Sequence, residues 1–424
     1  MTASGTDFQR PVSTGLRGKV AAVRLTPARS LLLVAGLLVL LSAVRAYTGA
    51  DDVTSSGTVR AALQTAVPIA MAGLGGLWAE RAGVVNIGLE GMLVLGTWFG
   101  AWAGYQWGPW AGVAVGILGG ALGGLLHAVV TVTFGVDHIV SGVAINLLAP
   151  GLARYLSVVT FTGNHGGGAT QSPQVGDIAT VTLPGVSGAL GTLEQHHWFL
   201  ASDLAGILRG LCTGLSLLTI VAVLLVPLSY FVLWRTAFGL RLRSCGESPT
   251  TAESLGINVY RMKYAAVIAS GAFAGLGGVF LSEVASSIYR EGQTGGRGFI
   301  GLAAMIFGNW RPGGLAAGAG LFGYADALNL RGQGAAVHAL LLFVGLLLLG
   351  LAARNLARRR YTGAVLGAAA AGAFLLWYAV TNEVPSQLVG ATPYVVTLVV
   401  LAAAAQRLRM PAADGIPYRR GQGR

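Results

Sequence analysis

Charge is scarce in this sequence. Asp, Glu, Lys and Arg make up only 10% of its 424 residues, whereas 54% are apolar. Soluble domains carry roughly one quarter charged residues, so an ordinary soluble fold is excluded. Apolar runs such as 31–46, 215–234 and 337–353 approach or reach the ~17–25 residues that cross a hydrocarbon core. The sequence therefore predicts an all-α polytopic membrane protein with about 10–12 transmembrane helices.

Cysteine and phosphate-binding motifs are also scarce. The two cysteines, Cys212 and Cys245, are expected on opposite sides of the bilayer, which argues against a disulfide or a metal cluster. The phosphate-binding pattern G-x-x-x-x-G-K-[ST] does not occur, since Gly18-Lys19-Val20 lacks the hydroxyl residue. We therefore expect no cofactor, no metal and no enzymatic site, so that any ATP hydrolysis must belong to another chain.

Basic residues outnumber acidic ones, 28 to 16, and they lie at predicted helix ends and in short loops. Membrane topology explains this pattern better than nucleic-acid binding, and the basic residues before position 30 place the N-terminal tail in the cytoplasm. About twelve crossings then return the C-terminus to the cytoplasm together with basic clusters at 235–263, 354–360 and 407–420. The crossings are expected near 31–48, 60–78, 89–106, 109–133, 139–156, 209–234, 264–285, 299–309, 313–329, 336–353, 362–380 and 391–407.

Two segments of the chain repeat each other in the same order. Ala-Gly-Leu-Gly-Gly at 72–76 recurs at 274–278, and Ile-Gly-Leu-x-x-Met at 87–92 recurs at 300–305. Each copy of the second motif is followed by Gly-x-Trp. Apolar segments interrupted by glycine at matching places in two halves are typical of transporters, whose broken helices line a pathway near the membrane midplane. The sequence therefore predicts a membrane transport protein built from two repeats.

The expected topology makes these repeats inverted, because 60–78 runs inward and 264–285 runs outward. Segment 299–309 is too short to span at 1.5 Å per residue, so a broken or re-entrant element is predicted over 299–329. We expect a cytoplasmic tail at 1–30, a transmembrane region at 31–410 and a cytoplasmic basic tail at 411–424. The transmembrane region is divided into repeat one at 60–156, an external loop at 157–208, repeat two at 209–329, an extra hairpin at 336–380 and a last helix at 391–407.

The loop at 236–260 encodes a short helix. Thr250 and Glu253 fit the T-x-x-E capping box, Pro249 suits a first turn and Gly256 can end the helix in a left-handed conformation. Isolated helices need roughly 12–15 residues for stability, so this one must dock on something. Ala252 and Leu255 are expected to form an apolar surface. It fits either a cytoplasmic partner or the protein's own helix bundle.

Several polar and aromatic residues are candidates for a solute pathway. An acidic group in hydrocarbon costs on the order of 2.5–3.5 kcal/mol, so Glu90 is expected to face protein or water. It could bond a solute hydroxyl, hold a broken helix or pair with Arg81. The asparagines could serve a solute or cap helix breaks. The candidate pathway residues are Asn86, Glu90, Trp98, Asn146 and Asn309.

Six stretches of the chain carry a family resemblance. The stretch E-R-A-G-V-V-N-I-G-L-E-G-M at 80–92 resembles the signature of permease subunits of bacterial ATP-binding-cassette importers. More narrowly, it is similar to the subgroup that imports nucleosides or simple sugars, within the branched-chain amino acid and ribose type of inner-membrane translocators. The other matching stretches are 139–146, 239–263, 296–308, 393–397 and 411–418, whereas the hairpin at 336–380 is outside the pattern.

The resemblance implies a set of partners. Segment 247–259 would be the coupling helix that sits in a groove of a cytoplasmic ATP-binding subunit. A second permease subunit and an extracytoplasmic substrate-binding lipoprotein would complete the assembly in the bacterial plasma membrane. The coupling residues would be Gly246, Glu247, Ala252, Glu253, Leu255 and Gly256.

Two other classes of protein remain as alternatives. A secondary active transporter of a small polar solute would be expected to carry intramembrane ion-coupling residues and no docking loop. A structural or assembly membrane protein is disfavoured by the repeats.

Overall fold

The computed structural model of the chain describes residues 27–331, 333–385, 388 and 408–421. These residues are almost entirely helical, with one pair of short antiparallel strands. Residues 1–26 of the expected tail and the predicted last helix at 391–407 lie outside the described residues. The elements are α1 (Pro27–Thr48), α2 (Ser56–Arg81), α3 (Leu89–Trp107), α4 (Pro109–Ala128), α5 (His138–Thr160), β1 (Thr180–Val181), α6 (Val186–Gln195), α7 (Ala201–Cys212), β2 (Leu215–Ser216), α8 (Leu217–Arg235), α9 (Ala237–Glu247), α10 (Pro249–Ser254), α11 (Val259–Phe280), α12 (Arg297–Phe307), α13 (Pro312–Arg331), α14 (Gln333–Ala357) and α15 (Tyr361–Val380).

Seven helices of the described chain are long and apolar enough to cross a membrane. Two of them are extended by π-helical turns, α4 by Val129–Thr133 and α11 by Leu281–Ala285. Helices α1, α3 and α13 have comparable lengths of 22, 19 and 20 residues. The prediction of an all-α polytopic membrane protein is confirmed. The seven helices are α2, α4, α5, α8, α11, α14 and α15.

The bundle has two distinguishable ends. We call the end that carries residues 236–258 the basic end, and the end that carries residues 161–216 the loop end. Helix α2 connects them, because Ser56 at its start lies beside Gly210 of α7, whereas the carbonyl of Arg81 at its end lies against Gly246 of α9.

The two repeated Ala-Gly-Leu-Gly-Gly segments lie where α2 and α11 cross. A Cβ atom placed on Gly75 would lie 2.5 Å from the carbonyl oxygen of Ser270, and one on Gly277 would lie 3.1 Å from that of Pro68. The earlier residue of α2 contacts the later residue of α11, so the two helices are antiparallel. Helices α3 and α12 also point to opposite ends of the bundle. The predicted inversion of the two repeats is thus seen in the helix directions.

Glycines bring α4 and α11 into backbone contact. A Cβ atom on Gly120 would overlap the backbone of Gly271 and Gly275, and one on Gly124 would lie 2.5 Å from the carbonyl oxygen of Val267. Small residues that allow such close approach are characteristic of helix association in membranes, where van der Waals packing replaces the hydrophobic effect. The glycine-rich sequence of α4 therefore positions the centre of the bundle.

The loop end has more structure than the sequence predicted. The expected external loop at 157–208 contains α6 and most of α7, and β1 pairs with β2. The crossing predicted from 209 begins instead at Leu217, because α7 ends at Cys212 and the chain turns through β2 before entering α8.

The hairpin outside the family pattern forms as two packed helices, α14 and α15. Ala364 and Ala371 are the buried residues of α15, whereas Val365 and Leu366 are 67% and 72% exposed. An apolar helix with this much exposed surface is suited to contact lipid or a neighbouring subunit.

Candidate functional site

Two broken helices meet inside the bundle at Glu90. One carboxylate oxygen of Glu90 accepts the backbone N–H of Gly296 at 2.9 Å, and the other accepts that of Gly298 at 2.7 Å. Glu90 lies in the first turn of α3, and its partners lie at the start of α12. A carboxylate at a helix N-terminus satisfies free N–H groups and interacts favourably with the helix dipole. Of its three predicted roles, Glu90 therefore holds a broken helix.

The depth of this site follows from helix packing. Gly96 packs on Gly275 and Gly100 packs on Val279. The two pairs have the same difference in residue number, so α3 and α11 run parallel. That difference places Leu89 nine residues beyond the start of α11 at Val259, which is about 14 Å from the basic end at 1.5 Å per residue. Both helix N-termini at Glu90 therefore lie inside the bundle, about one third of the way along the 27 residues of α11 and its π-helical turn.

Two asparagines complete the polar cluster around the break before α3. The Asn86 amide donates to the Ser270 hydroxyl at 2.9 Å, and its oxygen accepts the N–H of Gly88 at 3.1 Å. The Asn146 amide donates to the carbonyl oxygen of Ile87 at 2.9 Å and accepts the N–H of Gly91 at 2.8 Å. Together with Glu90 they satisfy backbone groups that the interrupted helices leave free. We call these three residues the midplane cluster.

Trp98 lies in a different environment. Its ring is buried against Phe161, at 5.4 Å between ring centroids, and stacks with Trp102 at 6.1 Å. The indole N–H donates to the Ser157 hydroxyl at 3.0 Å. Trp98 therefore packs α3 against α5, and its proposed contact with a solute stays a prediction.

Asn309 is separated from the midplane cluster by the length of α12. It lies in the turn after α12, with a positive φ of 54°, and accepts the backbone N–H of Arg409 at 2.7 Å. The next residue, Trp310, donates its indole N–H to Glu80, and its carbonyl oxygen accepts 3.2 and 2.7 Å bonds from Arg81. Arg81 thus binds this turn rather than Glu90. Since non-glycine residues rarely adopt positive φ, contacts with α2 and the C-terminal segment hold the turn in place.

A short helix, α10 (Pro249–Ser254), lies inside the predicted coupling segment 247–259, with Pro249 in its first turn as predicted. Its coupling role stays a prediction. Gly256 follows with φ of 80°, which confirms the left-handed ending. The predicted capping box is wrong, because the N-cap is Ser248, not Thr250. Glu253 instead accepts a hydrogen bond from the Tyr418 hydroxyl at 2.6 Å.

The apolar surface at α10 is smaller than the sequence predicted, because only one of its two predicted residues is exposed. Ala252 is buried in a cluster with Cys245 and Val259, whereas Leu255 is 76% exposed. Glu247 is exposed and accepts the N–H of Ala412 at 3.3 Å. Leu255 is therefore the exposed apolar side chain next to α10, and Leu240 on α9 is also 62% exposed.

A cavity of about 370 Å³ opens at the loop end between α2, β1, β2 and the π-helical turn after α11. Gln64, Asp177, Thr180 and Ser216 contribute to its lining, together with Glu283. Small-molecule sites typically occupy about 300–1,000 Å³. Among the described residues, no group of three or more His, Cys, Asp or Glu side chains is placed to hold a metal ion.

Several residues that organise these sites were not predicted to have a role. Ser270 and the N–H groups of Gly296 and Gly298 complete the midplane cluster, and Tyr418 binds Glu253 of α10. Sequence position offers no sign of these contacts, since each joins segments more than 160 residues apart. The available signals were the resemblance at 296–308, which contains the two glycines, and at 411–418, which contains Tyr418.

The chain was compared with known proteins. Residues 59–352 match the family model described as branched-chain amino acid transport system, permease component. The guanosine ABC transporter permease protein NupQ of Bacillus subtilis is 31% identical over 372 residues, which cover 86% of this chain and 97% of that protein. The nucleoside ABC transporter permease protein NupC of Lactococcus lactis is 33% identical over 366 residues, 83% of this chain and 93% of that protein.

A third relative, from Haloferax volcanii, has a provisional assignment as a glucose ABC transporter permease. It is 32% identical over 288 residues, 66% of this chain and 78% of that protein. No solved structure matches the chain. The family match covers more than half of the chain and includes the midplane cluster and α10. The chain belongs to the family of permease components of branched-chain amino acid type transport systems, which are subunits of ABC transporters.

Proposed function

We propose that this chain is the membrane-spanning permease subunit of an importer for nucleosides. The observation that carries the proposal is the extent of its likeness to NupQ and NupC, 97% and 93% of their lengths. The match to the glucose-type relative covers 78% of that protein. A simple sugar is the second candidate substrate, favoured by the 32% identity to that relative.

We propose that the pathway passes the midplane cluster. Asn86, Glu90 and Asn146 offer amide and carboxylate groups to a neutral solute that carries hydroxyls and a base. All three side chains hold the two broken helices in this conformation, so passage requires those helices to part. The polar cavity at the loop end would be the outer entrance. A polar passage that binds the solute weakly and releases it suits a permease, because tight binding would oppose conduction.

Energy for transport would come from separate ATP-binding subunits that dock on α10. This assignment is supported by the exposure of Leu255 on a short helix next to a basic surface. The remaining predicted coupling residues, Gly246, Glu247, Ala252, Glu253 and Gly256, would position α10. This subunit would have no ATPase site of its own.

The expected orientation follows from the basic residues. Arg235, Arg241 and Arg243 lie at the basic end, so the positive-inside rule favours a cytoplasmic basic end and an external loop end. Both termini would then be cytoplasmic. We propose that the loop end meets an extracytoplasmic substrate-binding lipoprotein and that a second permease subunit completes the pathway in the bacterial plasma membrane.

Uptake in cells with and without this gene tests the substrate. Radiolabelled guanosine, uridine and glucose should be compared, with unlabelled nucleosides as competitors. We expect deletion to abolish nucleoside uptake and to leave glucose uptake unchanged. Loss of glucose uptake with intact nucleoside uptake would move the assignment to sugars, and loss of neither would overturn both.

Docking at α10 has its own test. Leu255→Asp should leave the protein inserted but abolish uptake, because a charge replaces the exposed apolar side chain. Asn258→Asp is the matched control, since it adds the same charge three residues away and keeps the side-chain oxygen that caps α11. Wild-type uptake by Leu255→Asp would refute the docking assignment.

A further inference from the structure

The C-terminal segment 408–421, which we call the C-terminal strap, packs against the basic end of the bundle. Its backbone is bonded to the loop that bears the coupling helix, because the N–H of Ala413 donates to the carbonyl oxygen of Gly246 at 2.9 Å. Ala413 and Asp414 are 8% and 9% exposed. A segment with buried residues and a paired backbone is part of the fold rather than a loose tail.

Two glycines allow the strap to reach the bundle. Gly83, in the turn after α2, has φ of 80°, and a Cβ atom there would lie 3.1 Å from the carbonyl oxygen of Ala413. A Cβ atom on Gly246 would overlap the carbonyl group of Arg81. Three backbones therefore meet at one point: the end of α2, the end of α9 and the strap. Larger residues at either glycine would separate them.

The strap also holds the coupling helix itself. Glu253, in the last turn of α10, accepts the Tyr418 hydroxyl at 2.6 Å and the Arg420 guanidinium at 3.3 Å. The Tyr418 ring lies 5.6 Å from that of Tyr260 and joins the apolar cluster that contains Ala252. Because α10 has only six residues, tertiary contacts rather than helix propensity determine where it lies. The side-chain bonds of Glu253 make the strap a main source of those contacts.

Beyond α10, the strap contacts α2, α11 and the turn after α12. The N–H of Arg409 donates to Asn309 in the turn after α12. Asp414 faces Glu80 and Arg81 of α2 and Lys263 of α11, and burial raises the pKa of Asp414 to about 7. Through Glu80 and Arg81 the same end of α2 holds Trp310. One segment therefore joins α10, α2 and the turn that follows the broken helix α12.

We propose that the C-terminal strap is a positioning element of transport, which links α10 to α2 and α12 so that displacement of α10 moves the broken helices. This inference rests on the proposed docking of an ATP-binding subunit at Leu255. It assigns Tyr418 and Arg420 to force transmission rather than to the docking surface.

The test uses the complete transporter, with its ATP-binding and substrate-binding subunits, in proteoliposomes. The variant Tyr418→Phe/Arg420→Gln removes the hydroxyl and the guanidinium that bond Glu253, and keeps an aromatic ring at position 418 in the cluster. Tyr361→Phe, at a 63% exposed site on α15, is the matched control. Two quantities are measured: guanosine transported per ATP hydrolysed, and hydrogen exchange of the 249–256 backbone.

We expect the double variant to retain the ATP-binding subunits while guanosine transport per ATP falls at least threefold. Exchange at 249–256 should rise about three- to tenfold, mainly through loss of the Tyr418 bond, because the Arg420 side chain is 81% exposed and its ion pair contributes little. Tyr361→Phe should change neither quantity. Unchanged exchange, or faster exchange with an unchanged transport ratio, would overturn the inference.

Failure of the proposed function gives a different result. In that case the wild-type complex would transport no guanosine, whatever the state of the strap. The exchange measurement would still show whether Tyr418 and Arg420 hold α10. If Tyr418 and Arg420 hold α10 but the wild type transports a different solute, the ratio of solute transported to ATP hydrolysed is measured with that solute. In the double variant this ratio must fall at least threefold.

Discussion

Replacement of Glu90 by Gln should loosen the start of α12. The two carboxylate oxygens accept the N–H groups of Gly296 and Gly298, at 2.9 and 2.7 Å. A glutamine keeps one acceptor oxygen but turns an NH₂ group toward the second N–H. The substitution therefore removes one hydrogen bond and the negative charge at the helix N-terminus.

The expected loss can be estimated from these contacts. A hydrogen bond to a charged group contributes about 1.5–3 kcal/mol, and a charge at a helix N-terminus adds about 0.3–1 kcal/mol. Glu90→Gln should therefore destabilise the start of α12 by about 2–4 kcal/mol. Since 1.4 kcal/mol is a factor of ten, local opening would become about 30- to 700-fold more frequent.

Hydrogen exchange of the peptide that contains Gly296 and Gly298 measures this opening directly. Glu291→Gln is the matched control in the same loop, because Glu291 forms a 2.6 Å ion pair with Arg154 in which both side chains are 44% exposed. Exposed pairs contribute about 0–1 kcal/mol, so exchange in the control should rise at most about fivefold. Equal exchange in the two variants would refute the role given to Glu90.

Three further predictions follow from the fold. Gly120→Val should destabilise the protein by about 1–3 kcal/mol through overpacking between α4 and α11, whereas Gly151→Val, at a site with open space, should leave stability unchanged or slightly raised because valine has the better helix propensity, as measured by thermal unfolding in detergent. Attachment of the strap should be strongest below the ordinary aspartate pKa of ~3.9 and weaken as pH rises through about 7, because burial raises the pKa of Asp414 and the attached state holds the proton. Asp414→Asn should reduce this dependence in hydrogen exchange of 411–418, corrected for intrinsic rates, while Glu80 in the same contact still titrates. In a cysteine-free background, a cysteine at Gln171 should react with an impermeant thiol reagent added outside and one at Ser248 should not; the reverse pattern would overturn the topology.

Local signals in the sequence were enough to predict most helix positions. α3 begins at Leu89, the predicted start, and the proline and glycine that bracket α10 lie where their backbone preferences require. Local signals failed at the N-cap of α10, which is Ser248 rather than the predicted Thr250. They also failed at 209–216, where an apolar composition hides the break between α7 and α8.

The sites were less predictable than the helices, for a physical reason. Glu90 could be recognised as unusual because its charge lies in an apolar segment, but its partners lie 206 and 208 residues away. Their donors are backbone groups, and the residue type marks the contact only through glycine, since a Cβ atom on Gly298 would overlap the backbone of Glu90. The contacts of the strap with Gly246 and Glu253 depend in the same way on tertiary packing. Sequence could identify the residues that need a partner, and the structure was needed to identify the partner.

ATP-driven uptake in a reconstituted system tests the central claim most directly. The permease should be assembled with its ATP-binding subunits in proteoliposomes, with the substrate-binding protein and radiolabelled guanosine added outside. We expect guanosine to accumulate only with ATP inside, to be displaced by other nucleosides, and not to accumulate with Leu255→Asp. Accumulation without ATP, or ATP-driven accumulation that Leu255→Asp leaves intact, would contradict the account.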